Sequence, residues 1–166
     1  MKPVYRGIAV TVLQCLIVLS VAGKYALDRE RLPRVWAMAA PFDPYLPVRG
    51  RYVSLHLQVE AAPAVAAQPV SARLSAVGGR LVATADPTGA LHIMPAVVRT
   101  AAEPIGTQWV LVERVAFFIP EHVPDPSRRA PGEELWVEVS VPARGSPRPI
   151  RLGVKRDGVL TPLELR

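Results

Sequence analysis

The chain is 166 residues long, with 50% hydrophobic residues, 6% aromatic residues, one cysteine and 18 prolines. Twenty basic residues against 14 acidic ones leave a formal charge of +6, but the longest basic runs are only Arg128-Arg129 and Lys155-Arg156. No aromatic interleaving or nucleic-acid motif accompanies them, so the charge argues against a nucleic-acid binder, and a lone cysteine excludes a disulfide-built scaffold.

At the N-terminus, seventeen uncharged residues, Gly7–Gly23, follow a tail carrying Lys2 and Arg6. Crossing a bilayer takes about 20 apolar residues at 1.5 Å per residue. The stem of Lys24 and the apolar surface of Tyr25, Ala26 and Leu27 lengthen the run enough to span. A cleaved secretion signal has the same parts: a basic start, an apolar centre, and small residues at Ala22 and Gly23. Retention as an anchor is favoured, because the run exceeds a typical signal core. No helix breaker occurs between Lys24 and Leu32, so a helix should continue until Pro33 stops it. Gln14 is unsuited to a lipid-attachment site before Cys15, which reads as an apolar residue inside the span. A strict positive-inside count of Lys24, Arg29, Arg31 and Arg34 would keep the body in the cytoplasm. A short basic tail ahead of a first span ordinarily stays inside, however, and export of the body is the expectation.

Residues 1–33 are therefore read as tail, anchor helix and its extension, and residues 34–166 as one extracytoplasmic β-rich domain. Roughly 130 residues hold one real core and not two. Period-two alternation dominates this body. Val53, Leu55, Leu57 and Val59 point to one side of a strand, with Tyr52, Ser54, His56 and Gln58 on the other. Weaker strands are expected at Val35–Ala40, Ser71–Val77, Arg80–Thr84, Leu91–Met94 and Trp109–Ile119, with Gly78-Gly79 turning between two of them. Leu135, Val137, Val139 and Val141 alternate with Trp136, Glu138 and Ser140, and Ile150, Leu152 and Val154 with Arg151, Gly153 and Lys155. Asp157-Gly158 is a hairpin signal leading into Val159–Leu165, which Pro162 confines to an edge. Ala61–Pro69 and Pro124–Pro131 read as loops. The predicted fold is all-β: a small antiparallel sandwich or open barrel after a single N-terminal transmembrane helix.

Little in the body points to chemistry. His56, His92 and His122 lack the close partners a zinc site requires, so no metal and no cofactor is expected. Ser54, His56 and Asp43 are the residue types of a catalytic triad, but Ser54 and His56 share one face of an ordinary strand, without a nucleophile elbow. Glu113 is the more informative residue. On an extended Trp109–Ile119 it would share a face with Trp109, Leu111, Val115, Phe117 and Ile119, where a carboxylate needs a partner. A structural salt bridge to Arg49, Arg51 or Arg114 is favoured over a tuned acid or ligand-binding carboxylate. Glu121 falls at a loop rim after Pro120.

Pro41-Phe42-Asp43-Pro44-Tyr45-Leu46-Pro47-Val48-Arg49-Gly50-Arg51-Tyr52-Val53-Ser54-Leu55-His56-Leu57 resembles the signature of the GDYXXLXY family of membrane-anchored proteins. Gly50, Tyr52 and Leu55 match. Arg51 stands where that family has Asp, and Leu57 where it has the last Tyr. Glu113-Arg114-Val115-Ala116-Phe117-Phe118-Ile119-Pro120-Glu121 is similar to the family's later block, as is the closing strand, turn and strand at Asp157-Gly158. The resemblance implies a bacterial inner-membrane protein with one span and an outward, periplasmic β-domain. It further implies association with a multi-span membrane protein. It makes Asp43, Arg49, Gly50, Arg51, Tyr52, Leu55, Glu113, Phe118, Pro120 and Glu121 the candidate interaction residues. The leading expectation is a non-enzymatic interaction module. An envelope hydrolase or small-ligand binder using Glu113, Glu121 and His56 is the alternative.

Overall fold

The computed structural model describes residues 3–42, 52–61, 69–98 and 106–165. The chain divides into two compact units, Met1–Leu32 and Pro33–Arg166. The division falls one residue before the expected boundary, because the Pro33 carbonyl accepts a hydrogen bond from the Val141 N–H at 3.0 Å and so belongs to the body.

The first unit is one helix, α1 (Pro3–Arg31). Its end is where the sequence predicts it: Leu32 N–H still reaches Asp28 O at 3.0 Å, and Pro33 has no N–H to continue the ladder. The stretch Val4–Asp28 is long and apolar enough to cross a membrane, a property it shares with a signal sequence, and it is not buried within the protein. Its hydroxyls bond to its own backbone, Thr11 Oγ1 to Gly7 O at 3.1 Å and Ser20 Oγ to Ile17 O at 2.8 Å. Neither polar side chain therefore needs water.

The second unit is all-β. Its strands are β1 (Arg34–Phe42), β2 (Tyr52–Ala61), β3 (Val70–Val77), β4 (Arg80–Ala85), β5 (Leu91–Val98), β6 (Gly106–Leu111), β7 (Val115–Phe118), β8 (Glu134–Ser140), β9 (Arg148–Arg156) and β10 (Val159–Pro162). They form one sheet in the order β10-β9-β8-β1-β2-β4-β3-β5-β6. All pairings are antiparallel except the parallel match of β2 with β4 at Glu60↔Val82 and Ala61↔Ala83. β6 returns to pair with β2 at Gln58↔Val110, so β2, β4, β3, β5 and β6 close a five-stranded ring. The body is thus nearer the barrel than the sandwich.

β2 organises the whole. Its first half joins β1 on one edge and β7 on the other, and its second half is built into the ring. Leu55 and Leu57 are completely buried there, and the core continues through Leu81, Ala83, Ile93 and Leu111 on the ring side and Val137, Val139 and Leu152 on the other. The β3–β4 turn has positive φ at both Gly78 and Gly79, and the β9–β10 turn at both Asp157 and Gly158. These are the mirror-image turns that match strand twist in two-residue hairpins. β10 lies at the sheet edge, as Pro162 requires.

One expectation needs correction. Trp109–Ile119 is not one extended segment, because Val112, Glu113 and Arg114 lie between β6 and β7. An unbroken register from Gln58↔Val110 would bring Glu113 opposite Leu55, but Val115 stands there instead. Two extra residues are looped out, which keeps the in–out alternation while removing a carboxylate from the core face. The polar positions of β2 and β8 are partly enclosed as well. Ser54, Glu138 and Ser140 are buried along with the apolar residues between them.

Candidate functional site

The outer face of the sheet, opposite the core, carries a wide cleft. It has a volume of about 740 Å³. Cross-strand register builds its floor: Met38 stands opposite Trp136, Trp36 opposite Glu138, Trp136 opposite Gly153, and Glu134 opposite Lys155. Period-two alternation places these on the face that Val35, Ala37, Leu135 and Val137 do not use. Gln58 and Glu60 of β2, Gln108 of β6 and Arg80 after the Gly78-Gly79 turn complete it.

The two indoles are held in place. A Cβ at Gly153 would lie 2.8 Å from the ring of Trp36, so only glycine there lets this side chain lie across β9. Arg151 sits 5.4 Å from the centre of the Trp36 ring, and its Nε donates to Glu138 Oε2 at 2.6 Å. Trp136 Nε1 donates to Glu134 Oε2 at 3.0 Å, and Lys155 Nζ sits 4.7 Å from its ring centre. Arg80 donates to Glu60 Oε1 at 2.6 Å. The charges of the cleft are therefore locally compensated, and its distinctive chemistry is aromatic and amide. Gln58 Nε2 is buried and has no hydrogen-bond partner among the described residues.

The predicted residues are distributed differently. Asp43, Arg49, Gly50 and Arg51 lie outside the described residues. Tyr52 and Phe118, from the two motif-like segments, come together as a cross-strand pair with ring centroids 6.1 Å apart. Phe118 is 69% exposed. Leu55 is core, and Pro120 and Glu121 sit at the turn that follows β7, where Pro120 O accepts from Val123 N–H at 3.2 Å.

Among the described residues, Glu113 is partnered by His92; Arg49 and Arg51, two of the expected partners, lie outside them. Its carboxylate accepts from the His92 backbone N–H at 3.0 and 3.1 Å and meets the ring Nδ1 at 2.9 Å. Val112 N–H donates to His92 O at 2.9 Å, so the looped-out residues are clamped onto the start of β5. Partial burial pushes the Glu113 carboxyl up, but the hydrogen bonds from the His92 backbone and ring outweigh it and hold the acid below its ordinary value of 4.5. His56 is held below its ordinary 6.5 by burial and then by the Arg114 guanidinium. None of Glu113, Glu121 and His56 lines the outer-face cleft. Among the described residues, no group of three or more His, Cys, Asp or Glu is arranged to hold a metal ion.

Sequence reasoning missed this cleft. The signal available was Trp136 on the polar side of an alternating strand, an unusual place for a large aromatic group. The non-sequential pairing of β1 with β8 that adds Trp36 had no local signature. No protein-family model matches the chain, and comparisons with curated proteins and with solved structures give no match.

Proposed function

We propose that this protein is a tethered, non-enzymatic binding module of the bacterial inner membrane. In this reading α1 is retained as a single-pass anchor, the β-body lies in the periplasm, and the partner is a multi-span membrane protein. The likeness of Gly50–Leu57 and Glu113–Glu121 to the GDYXXLXY signature belongs to the same reading.

The observation that carries it is α1, whose Gly7–Gly23 stretch has no charged face and is exposed. A helix of that kind needs an apolar medium that the protein itself does not supply. The Tyr52–Phe118 pair supports a docking role, because it joins the two motif-like segments at one exposed spot. The hydrolase alternative loses ground where Glu113 is concerned, since both of its oxygens are engaged by His92.

A photo-reactive residue at Phe118, in membranes of cells making the full chain, tests the docking surface. The expected result is one reproducible crosslink to a multi-span protein that also copurifies in mild detergent. Repeated isolation of the chain alone would overturn it. A reporter fused after Arg166, active only outside the cytoplasm, together with the size of the mature protein, tests orientation and retention.

A further inference from the structure

We propose that the outer-face cleft binds a neutral saccharide, its pyranose rings stacking on Trp36 and Trp136 while the amides of Gln58 and Gln108 bond its hydroxyls.

A pyranose presents an apolar C–H face and a rim of hydroxyls. An indole face suits the first, and a planar amide, which both donates and accepts, suits the second. Two of the chain's three tryptophans occur in this cleft, on the neighbouring strands β1 and β8. The third, Trp109, packs against the core. The amide of Gln58 supplies a buried donor without a protein acceptor among the described residues, and such groups are rare unless something else satisfies them.

Charge points the same way. Arg80 is matched by Glu60, and Lys155 stands opposite Glu134, so a phosphate or nucleotide would find no uncompensated positive field here. The two rings are also held in place: Gly153 makes room for Trp36, and Glu134 accepts from the Trp136 ring N–H, while the flexible Arg151 and Lys155 side chains that lie over the rings swing aside when a sugar stacks. Rings already held in place lose little freedom on binding. A volume of about 740 Å³ lies within the usual range of small-ligand sites and suits a chain of about two or three sugar rings.

This inference goes beyond the tethered-module reading and does not depend on it. Failure to copurify a membrane partner leaves the titration below unchanged, and a failed titration leaves the partner search unchanged.

The test uses the full chain in lipid nanodiscs, since detergents with sugar headgroups would compete. Cellotriose, maltotriose and triacetylchitotriose are titrated in turn, followed by tryptophan fluorescence and calorimetry. At least one should bind saturably with a dissociation constant on the order of 0.1–1 mM. Its affinity should be the same at low and high salt, as an uncharged ligand requires. Trp36→Ala and Trp136→Ala should each weaken binding by about tenfold, and Trp109→Phe should not. Where an alanine variant loses its β-type circular dichroism, Trp136→Phe and Gln58→Ala decide instead, each weakening binding in a folded body. The proposal fails if none of the three sugars binds at concentrations up to about 10 mM. It also fails if binding ignores every cleft substitution, or if inorganic phosphate or tetramethylammonium binds more tightly than any sugar.

Discussion

In α1, Ile8, Leu16 and Leu19 each expose more than half of their surface, whereas Leu55 and Leu57 in β2 expose none. The contrast follows from pattern and not from hydrophobic content. Gly7–Gly23 offers no charged face to turn outward, so every direction around the helix is apolar. In β2 the alternation with Tyr52, His56 and Gln58 gives each apolar residue an inside to occupy. The body has an inside for its apolar residues, while the helix has no polar face to turn outward. Substitutions in the two regions should therefore separate cleanly, with stability moving in one and membrane retention in the other.

The largest effect is expected at Leu57, which is fully buried where β1 and β2 pair. Leu57→Ala removes packed volume from the centre of the sheet and should cost about 2–5 kcal/mol. Denaturant unfolding of the full chain in detergent, followed by circular dichroism in the β region, would measure it. The fraction recovered with membranes should be unchanged as long as the chain stays intact. Leu16→Arg is the converse. An arginine near the middle of a span disfavours insertion by about 2.5–3.5 kcal/mol. Fractionation should shift the chain out of the membrane pellet, while the β-body keeps its unfolding midpoint. If Leu16→Arg instead melts the body, α1 is not an independent unit and the contrast breaks.

Gly153→Ala sharpens the comparison within the body. The added Cβ would meet the Trp36 ring at 2.8 Å and the Thr161 carbonyl at 3.1 Å, so the indole must move off β9. Forcing one methyl into such a contact should cost about 1–3 kcal/mol. A red-shifted tryptophan emission would report Trp36 entering water. Unchanged emission together with unchanged stability would show that the ring does not rest there.

Much of this architecture was legible in local patterns. The helix end at Pro33, the two-residue turns at Gly78-Gly79 and Asp157-Gly158, and the edge position forced by Pro162 each depend on one or two residues. What could not be read was pairing at a distance. That β6 closes a ring on β2, and that β1 sits between β2 and β8, depends on contacts between segments far apart in sequence. The cleft inherits this, since Trp36 and Trp136 meet only through the β1–β8 register. Glu113 was singled out correctly as a carboxylate that needs a partner, yet its partner His92 was not foreseen. The two-residue register shift that takes it out of the strand, and so toward His92, becomes visible only once the pairings of β2 with β6 and β7 are known.

That loop gives the smallest expected effect, and one with a pH signature. Glu113 titrates below its ordinary 4.5 in the folded protein, so folding favours its ionised form. Its contribution is complete above pH 4.5 and is lost as pH falls through the depressed folded value. His56, also lowered, works at a higher window. The unfolded chain takes up its proton near 6.5 while the folded one resists, so stability declines as pH falls below 6.5. Glu113→Gln keeps the shape but weakens the bonds to His92, and should cost about 1 kcal/mol at pH 7, a value reduced by the partial exposure of both groups. The difference between the parent and Glu113→Gln, measured by denaturant unfolding across a pH series, should shrink toward zero in acid as pH falls below 4.5 and the Glu113 carboxylate takes up its proton. A difference that does not change with pH would mean that the clamp depends on shape and not on charge.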